Sequence, residues 1–220
     1  SAAGIPNIGY KEQAYFYYPN QGGINSLFHS LFNIVSSIGA KFITGEMVKE
    51  VRMKSDGTYK INDKVSAKKI ISTIPLPELL LSIEKTKEIK TLAEKFDWNG
   101  VAVVGVALPY TTPDQTTIYV PSPNVVFHRY TWMSSLAPPK NKNKSNLIAE
   151  VTIPKGSQPN MDKITADVLK GLADIGVIKD ENDVIFTKTW FNKYGYPIYL
   201  LNHNEVRNKA MQILNMLGIY

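Results

Sequence analysis

The chain contains no cysteine, which excludes disulfides and cysteine-ligated zinc or iron–sulfur centres and leaves the redox compartment open. Arginine is nearly as scarce, with only Arg52, Arg129 and Arg207. The formal charge of +6 therefore rests on lysines scattered along the chain. Such a balance attracts anions over distance, but it supplies few of the planar guanidinium forks that grip phosphate at two points. No apolar run approaches the ~20 residues needed to cross a bilayer, and the start lacks the basic-then-apolar pattern of a secretory leader. The expectation is a soluble, cytoplasmic protein. The three histidines, His29, His128 and His203, stand far apart, and none is spaced with another histidine or a carboxylate as metal ligands are, so no metal site is expected. Glycine-rich phosphate loops of the GxGxxG or GxxxxGK[ST] kind and the GxSxG nucleophile elbow do not occur.

What is there suffices for a folded core. The 220 residues, 44% of them hydrophobic, suit one large domain or two small ones. From Gly22 onward Ile24, Leu27, Phe28, Leu31, Ile34, Val35 and Ile38 recur at helical spacing, with Gly39 placed as a C-terminal cap. Strands are expected over 41–44, 47–53 and 58–61, the last two joined through Asp56-Gly57 as a hairpin. "AKKIISTIP" reads as a strand that Pro75 stops, followed by a short helix from about Pro77. A second helix is expected over 85–96. Four β-rich runs follow, "GVAVVGVALPY", "TTIYVP", "VVFHRYTW" and "NLIAEVTI", with no helix between them, which implies antiparallel pairing. The remainder reads as a helix over 161–175, a strand "DVIFTKTWF", a loop "KYGYPIYLLNHN" and a helix over 205–217. The fold class is α+β.

Several stretches carry polar chemistry. In "VVFHRYTW" the alternation of a strand puts His128 and Arg129 on opposite faces. A buried arginine there requires a carboxylate or carbonyl partner, and Glu150 is the nearest candidate. A structural ion pair and a pocket role both fit. Tyr194, Tyr196 and Tyr199, around Gly195 and Pro197, can wall a ligand pocket or close a core edge. The lysine-rich "PPKNKNKSN" reads as a solvated loop rather than a nucleic-acid contact. The pair Gly22-Gly23 before the first helix allows close approach of a backbone or ligand, or merely forms a tight turn.

In order and spacing, "YYPNQGGINSLFHSLF", "GAKFITGEMVKEVRMKSDGTYKI", "KKIISTIPLPELL", "FHRYTW" with "NLIAEVT", and "YGYPIYLLNHNEVRNKAMQILNMLGIY" resemble the amine-oxidase-like flavoproteins. The nearest branch is that of the protoporphyrinogen-oxidase-like and UDP-galactopyranose-mutase-like proteins. The resemblance implies a partial FAD-domain segment over 1–76, an antiparallel-sheet substrate domain over 77–200, and a C-terminal helix over 201–220 leading back to the FAD domain. It further implies that Val48 meets the adenine end of FAD through its backbone and that Thr73 and Pro75 lie near the cofactor. Gly22, Gly23, His128, Arg129, Tyr196 and Tyr199 would face or support the substrate cavity. No catalytic residue is assigned.

The chain departs from that family in two places. The N-terminal GxGxxG unit and the C-terminal glycine-rich segment that closes over the flavin are missing, and pyrophosphate needs the former's glycine turn and helix N-terminus. Ser1 in place of methionine fits a piece of a longer protein. The expected function is thus a substrate-domain-containing fragment of an FAD-dependent oxidoreductase, inactive alone, with FAD held only by the intact parent. The alternatives are a fragment of a UDP-galactopyranose-mutase-like enzyme and a non-catalytic ligand- or protein-binding module. Expected partners are a small-molecule substrate and the missing dinucleotide-binding segments. Open strand edges near Phe42 and Ile71 also suggest self-association.

Overall fold

The computed structural model describes residues 17–83 and 86–220. Among the described residues, six α-helices and two antiparallel sheets, of three and five strands, confirm the α+β class. The described residues form two compact units.

The first unit holds residues 17–42, 104–149 and 168–188. It opens with helix α1 (Ile24–Ser37), which ends where Gly39 takes φ 93 and donates its N–H to Ser36 O at 3.0 Å. Gly22 and Gly23 both have positive φ, at 73 and 56. These are left-handed conformations that a side chain would strain. No residue of α1 is buried, and its apolar side chains from Ile24 to Ile38 are 44% to 80% exposed wherever they are large. The core of this unit comes from a two-residue rhythm in the sheet: Val104, Val106 and Leu108 are buried while Gly105 and Ala107 are less so. Helix α5 (Met161–Asp174) approaches closely through Gly171, where an added Cβ would lie 3.0 Å from the Phe127 ring.

The second unit holds Ile43–Val103, Glu150–Asp167 and Thr189–Tyr220. Strands β1 (Val51–Met53), β2 (Tyr59–Ile61) and β3 (Val65–Ala67) form a meander, with Val51 opposite Ile61 and Tyr59 opposite Ala67. The expected Asp56-Gly57 hairpin joins the first two, and Asp56 Oδ1 accepts from both the N–H and the hydroxyl of Thr58. Helices α2 (Leu76–Ser82), α3 (Lys87–Glu94) and α6 (His203–Met216) pack with the meander around Leu80, Leu92 and Phe96. Val206, Ala210 and Leu214, four residues apart, give α6 its buried stripe.

The five-stranded sheet has the order β5-β6-β7-β4-β8. Its members are β4 (Asp97–Leu108), β5 (Thr117–Tyr119), β6 (Arg129–Trp132), β7 (Ser145–Pro154) and β8 (Phe186–Ile198). Helices α4 (Met133–Leu136) and α5 (Met161–Asp174) lie between strands in sequence.

Four expectations need correction. No strand forms over 41–44, and the strand expected over 47–53 starts only at Val51. The run before Pro75 is also not a strand, being limited to a single bridge between Ile70 and Ile219. β-branched residues read as strand, yet a strand needs a partner ladder, and none is formed there. Conversely, "KYGYPI" is not a loop but the end of β8. Gly195 permits tight pairing there, and Pro197 is tolerated because β8 is an edge strand with no obligatory N–H bond.

Candidate functional site

Within the second unit, a cavity of about 270 Å³ opens between the start of α2, the start of β4, the end of β8 and the start of α6. Pro75 to Pro77 form one side. Pro75 caps α2 in an extended conformation, and Pro77 sits in its first turn, where a missing N–H costs nothing. The opposite wall is aromatic. The rings of Trp98 and Tyr194 lie 4.7 Å apart at 35°, a spacing set by the close approach of β4 and β8: a Cβ on Gly195 would fall 2.9 Å from Val101 Cβ.

Lys155, from the segment after β7, fastens this wall. Its ammonium sits 4.1 Å from the centre of the Trp98 ring and donates to Phe96 O at 2.6 Å. Tyr196 donates its hydroxyl to Glu150 at 2.6 Å, and that carboxylate is buried. His203 lies edge-on to Phe96 and to Tyr199, with ring centres 6.3 and 4.8 Å away. One turn later Arg207 reaches the same cavity, as residues four apart share a helix face. Two of its nitrogens donate to the neighbouring Asn208 side chain.

Titration is displaced toward the basic end. Burial, with a smaller contribution from the Glu78 charge, pushes the Tyr194 hydroxyl above the usual tyrosine value; the adjacent Lys193 opposes it. Lys193 is itself raised, first by its hydrogen bond to Tyr194. Neither shift creates a base poised near neutral pH. No cluster of three or more metal-ligating side chains occurs among the described residues. The site is thus equipped to hold a flat or apolar group, with a cation at its rim.

No protein-family model matches the chain. Solved structures do. A reduced UDP-galactopyranose mutase superposes with a TM-score of 0.77 at 20% identity, covering 92% of this chain and 46% of its own. A protein of Exiguobacterium sp. 255-15 assigned as a protoporphyrinogen oxidase gives 0.69 at 17% identity, covering 90% and 45%. Putrescine oxidase bound to putrescine gives 0.60 at 14% identity, covering 90% and 46%. The chain has the amine-oxidase-like fold. It spans under half the length of these three structures.

Within this amine-oxidase-like fold, Pro75 and Tyr196 line one cavity, and Tyr199 touches it through His203. Thr73 is exposed two residues before Pro75. Val48 is 38% exposed on the segment leading into β1. Gly22, Gly23, His128 and Arg129 belong to the first unit and are not among the lining residues. Gly23 lies against the Tyr18 ring, and Arg129 donates to the Tyr119 hydroxyl at 3.2 Å. Trp98, Lys155, His203 and Arg207 escaped the sequence reading. The four-residue interval between His203 and Arg207 was the available signal for two of them; nothing in sequence links Lys155 to Trp98.

Proposed function

We propose that the chain is the substrate-domain-bearing portion of an FAD-dependent oxidoreductase of the amine-oxidase and protoporphyrinogen-oxidase type, and that it does not turn over substrate by itself. The observation that carries this reading is the near-complete coverage of this chain against under half of each neighbour. The bare apolar flank of α1 supports it, since such a surface suits a helix made to be covered.

The residues present fit the rim of a flavin site and not its cradle. Val48 offers an open backbone, and the Thr73–Pro75 turn abuts the aromatic cavity. A pyrophosphate cradle would need a glycine turn that the sequence does not contain. Bound flavin supplies electron-accepting chemistry. The chain's own residues position and desolvate: Trp98 and Tyr194 form an apolar wall, Tyr196 is oriented by Glu150, and Arg207 offers positive charge to an anionic end of the substrate. Gly22, Gly23, His128 and Arg129 support the substrate side in this reading.

A mutase parent is the second reading, favoured by the TM-score of 0.77. Only Arg207 among the arginines lines the cavity, which leaves little for a diphosphate. Titrating FAD into the purified chain, followed by flavin fluorescence and dialysis, tests the proposal. The expected result is no tight complex, with a yellow complex appearing on co-expression with an adjacent GxGxxG polypeptide. Tight FAD binding by the chain alone would overturn it.

A further inference from the structure

We infer that Asn62 is a positioning residue that holds the backbone around Val48 open for an adenine-bearing nucleotide; this rests on the reading of Val48 as the adenine contact. Asn62 and Asp63 form the turn between β2 and β3 in the left-handed region, at φ 48 and 56. Asparagine is among the few residues that tolerate this conformation.

From there its side chain reaches back twelve to fifteen residues in sequence. Oδ1 accepts from the N–H of Lys49 at 2.8 Å and of Glu50 at 3.1 Å, while Nδ2 donates to Met47 O at 2.7 Å. Its own N–H donates to Glu50 O at 3.0 Å. These four bonds bracket Val48 on both sides and leave it out. Among the described residues neither the N–H nor the C=O of Val48 has a hydrogen-bond partner.

The segment is exposed and has no ladder partner. The Asn62 amide takes the place of a neighbouring strand. It satisfies the Met47 carbonyl on one side and the Lys49 and Glu50 amides on the other, while Val48 between them keeps both its donor and its acceptor free. Adenine presents a matching acceptor and donor, N1 and the N6 amine, on adjacent atoms.

The test uses the intact chain, amide hydrogen exchange and amide NMR shifts, with AMP as probe and ribose 5-phosphate as control. Asn62→Gly keeps the left-handed turn without strain and removes every side-chain bond. Asn62→Asp keeps the acceptor for Lys49 and Glu50 but loses the donor to Met47. In Asn62→Gly, exchange at the Lys49 and Glu50 amides is expected to quicken roughly tenfold, the scale of one net hydrogen bond, and the AMP-induced shift at Val48 to disappear. Asn62→Asp is expected to retain the protection of both amides and part of the Val48 shift. If AMP moves Val48 equally in the parent chain and in Asn62→Gly, or if exchange is unchanged in both variants, the inference is overturned while the adenine contact stands. If AMP fails to move Val48 in the parent chain, or ribose 5-phosphate moves it as much, the adenine contact falls and takes this inference with it.

Discussion

Replacing Gly195 with alanine should destabilise the second unit, although a glycine in a strand is ordinarily a weak point. Exchanging glycine for alanine in a compatible strand position gains about 0.5–1 kcal/mol by restricting the unfolded chain. At Gly195 the new Cβ would lie 2.9 Å from Val101 Cβ, 3.0 Å from its Cγ1 and 3.0 Å from its backbone nitrogen. Two of those atoms cannot rotate away; β4 or β8 must shift as a whole. Forcing atoms into a packed interior costs about 1–3 kcal/mol, so the clash outweighs the entropic gain. The net expectation is a loss of about 1–2 kcal/mol.

Gly100→Ala provides the internal comparison. Its closest contact, 2.8 Å, is to the Phe191 ring, a half-exposed side chain that can swing outward. The tighter constraint there is Asn192 O at 3.1 Å. Urea unfolding of both variants should therefore rank Gly195→Ala as the less stable, with a smaller loss for Gly100→Ala. The emission of Trp98, which stacks on Tyr194 next to Gly195, should change in the former. A Gly195→Ala protein as stable as the parent would refute the tight β4–β8 approach and with it the account of the cavity wall.

Tyr196→Phe removes a donor from the buried Glu150 carboxylate, and a loss of about 1–3 kcal/mol in chemical unfolding is expected; no loss would mean the bond is not formed. Tyr194 is raised above the usual tyrosine value of 10.0, so the fold binds that proton more tightly than the unfolded chain. Its contribution is complete below pH 10.0 and disappears as the pH climbs through the raised value. Thermal midpoints should accordingly fall more steeply above that pH in the parent than in Tyr194→Phe. The open flank of α1 should drive self-association, and Phe28→Glu with Leu31→Glu should abolish it in light scattering; a monodisperse 24.6 kDa parent at high concentration would contradict this.

Elements whose order is local were legible in sequence. Helix α1 followed from the spacing of Leu27, Phe28, Leu31 and Ile34, and the β1–β2 hairpin from Asp56-Gly57, because both signals lie within one turn of chain. The stretches over 41–44 and 70–74 misled, since "KFIT" and "IISTI" carry strand propensity whose realisation depends on a partner elsewhere. "YGYPI" misled in the other direction: Gly195 and Pro197 are turn residues by habit, and here serve a close strand approach and an unpaired edge. The site was legible only in part for the same reason. Tyr196 stood out from its own aromatic neighbourhood and Pro75 only through the family resemblance, while the Lys155 contact with Trp98 and the Asn62 bracket on Val48 join residues far apart in sequence.

The most direct test of the account is the mass and colour of the natural product that carries this sequence, recovered from its source under native conditions. The account predicts a polypeptide or complex well above 24.6 kDa with the absorbance of bound flavin. A colourless species of 24.6 kDa, still colourless with added FAD, would contradict it.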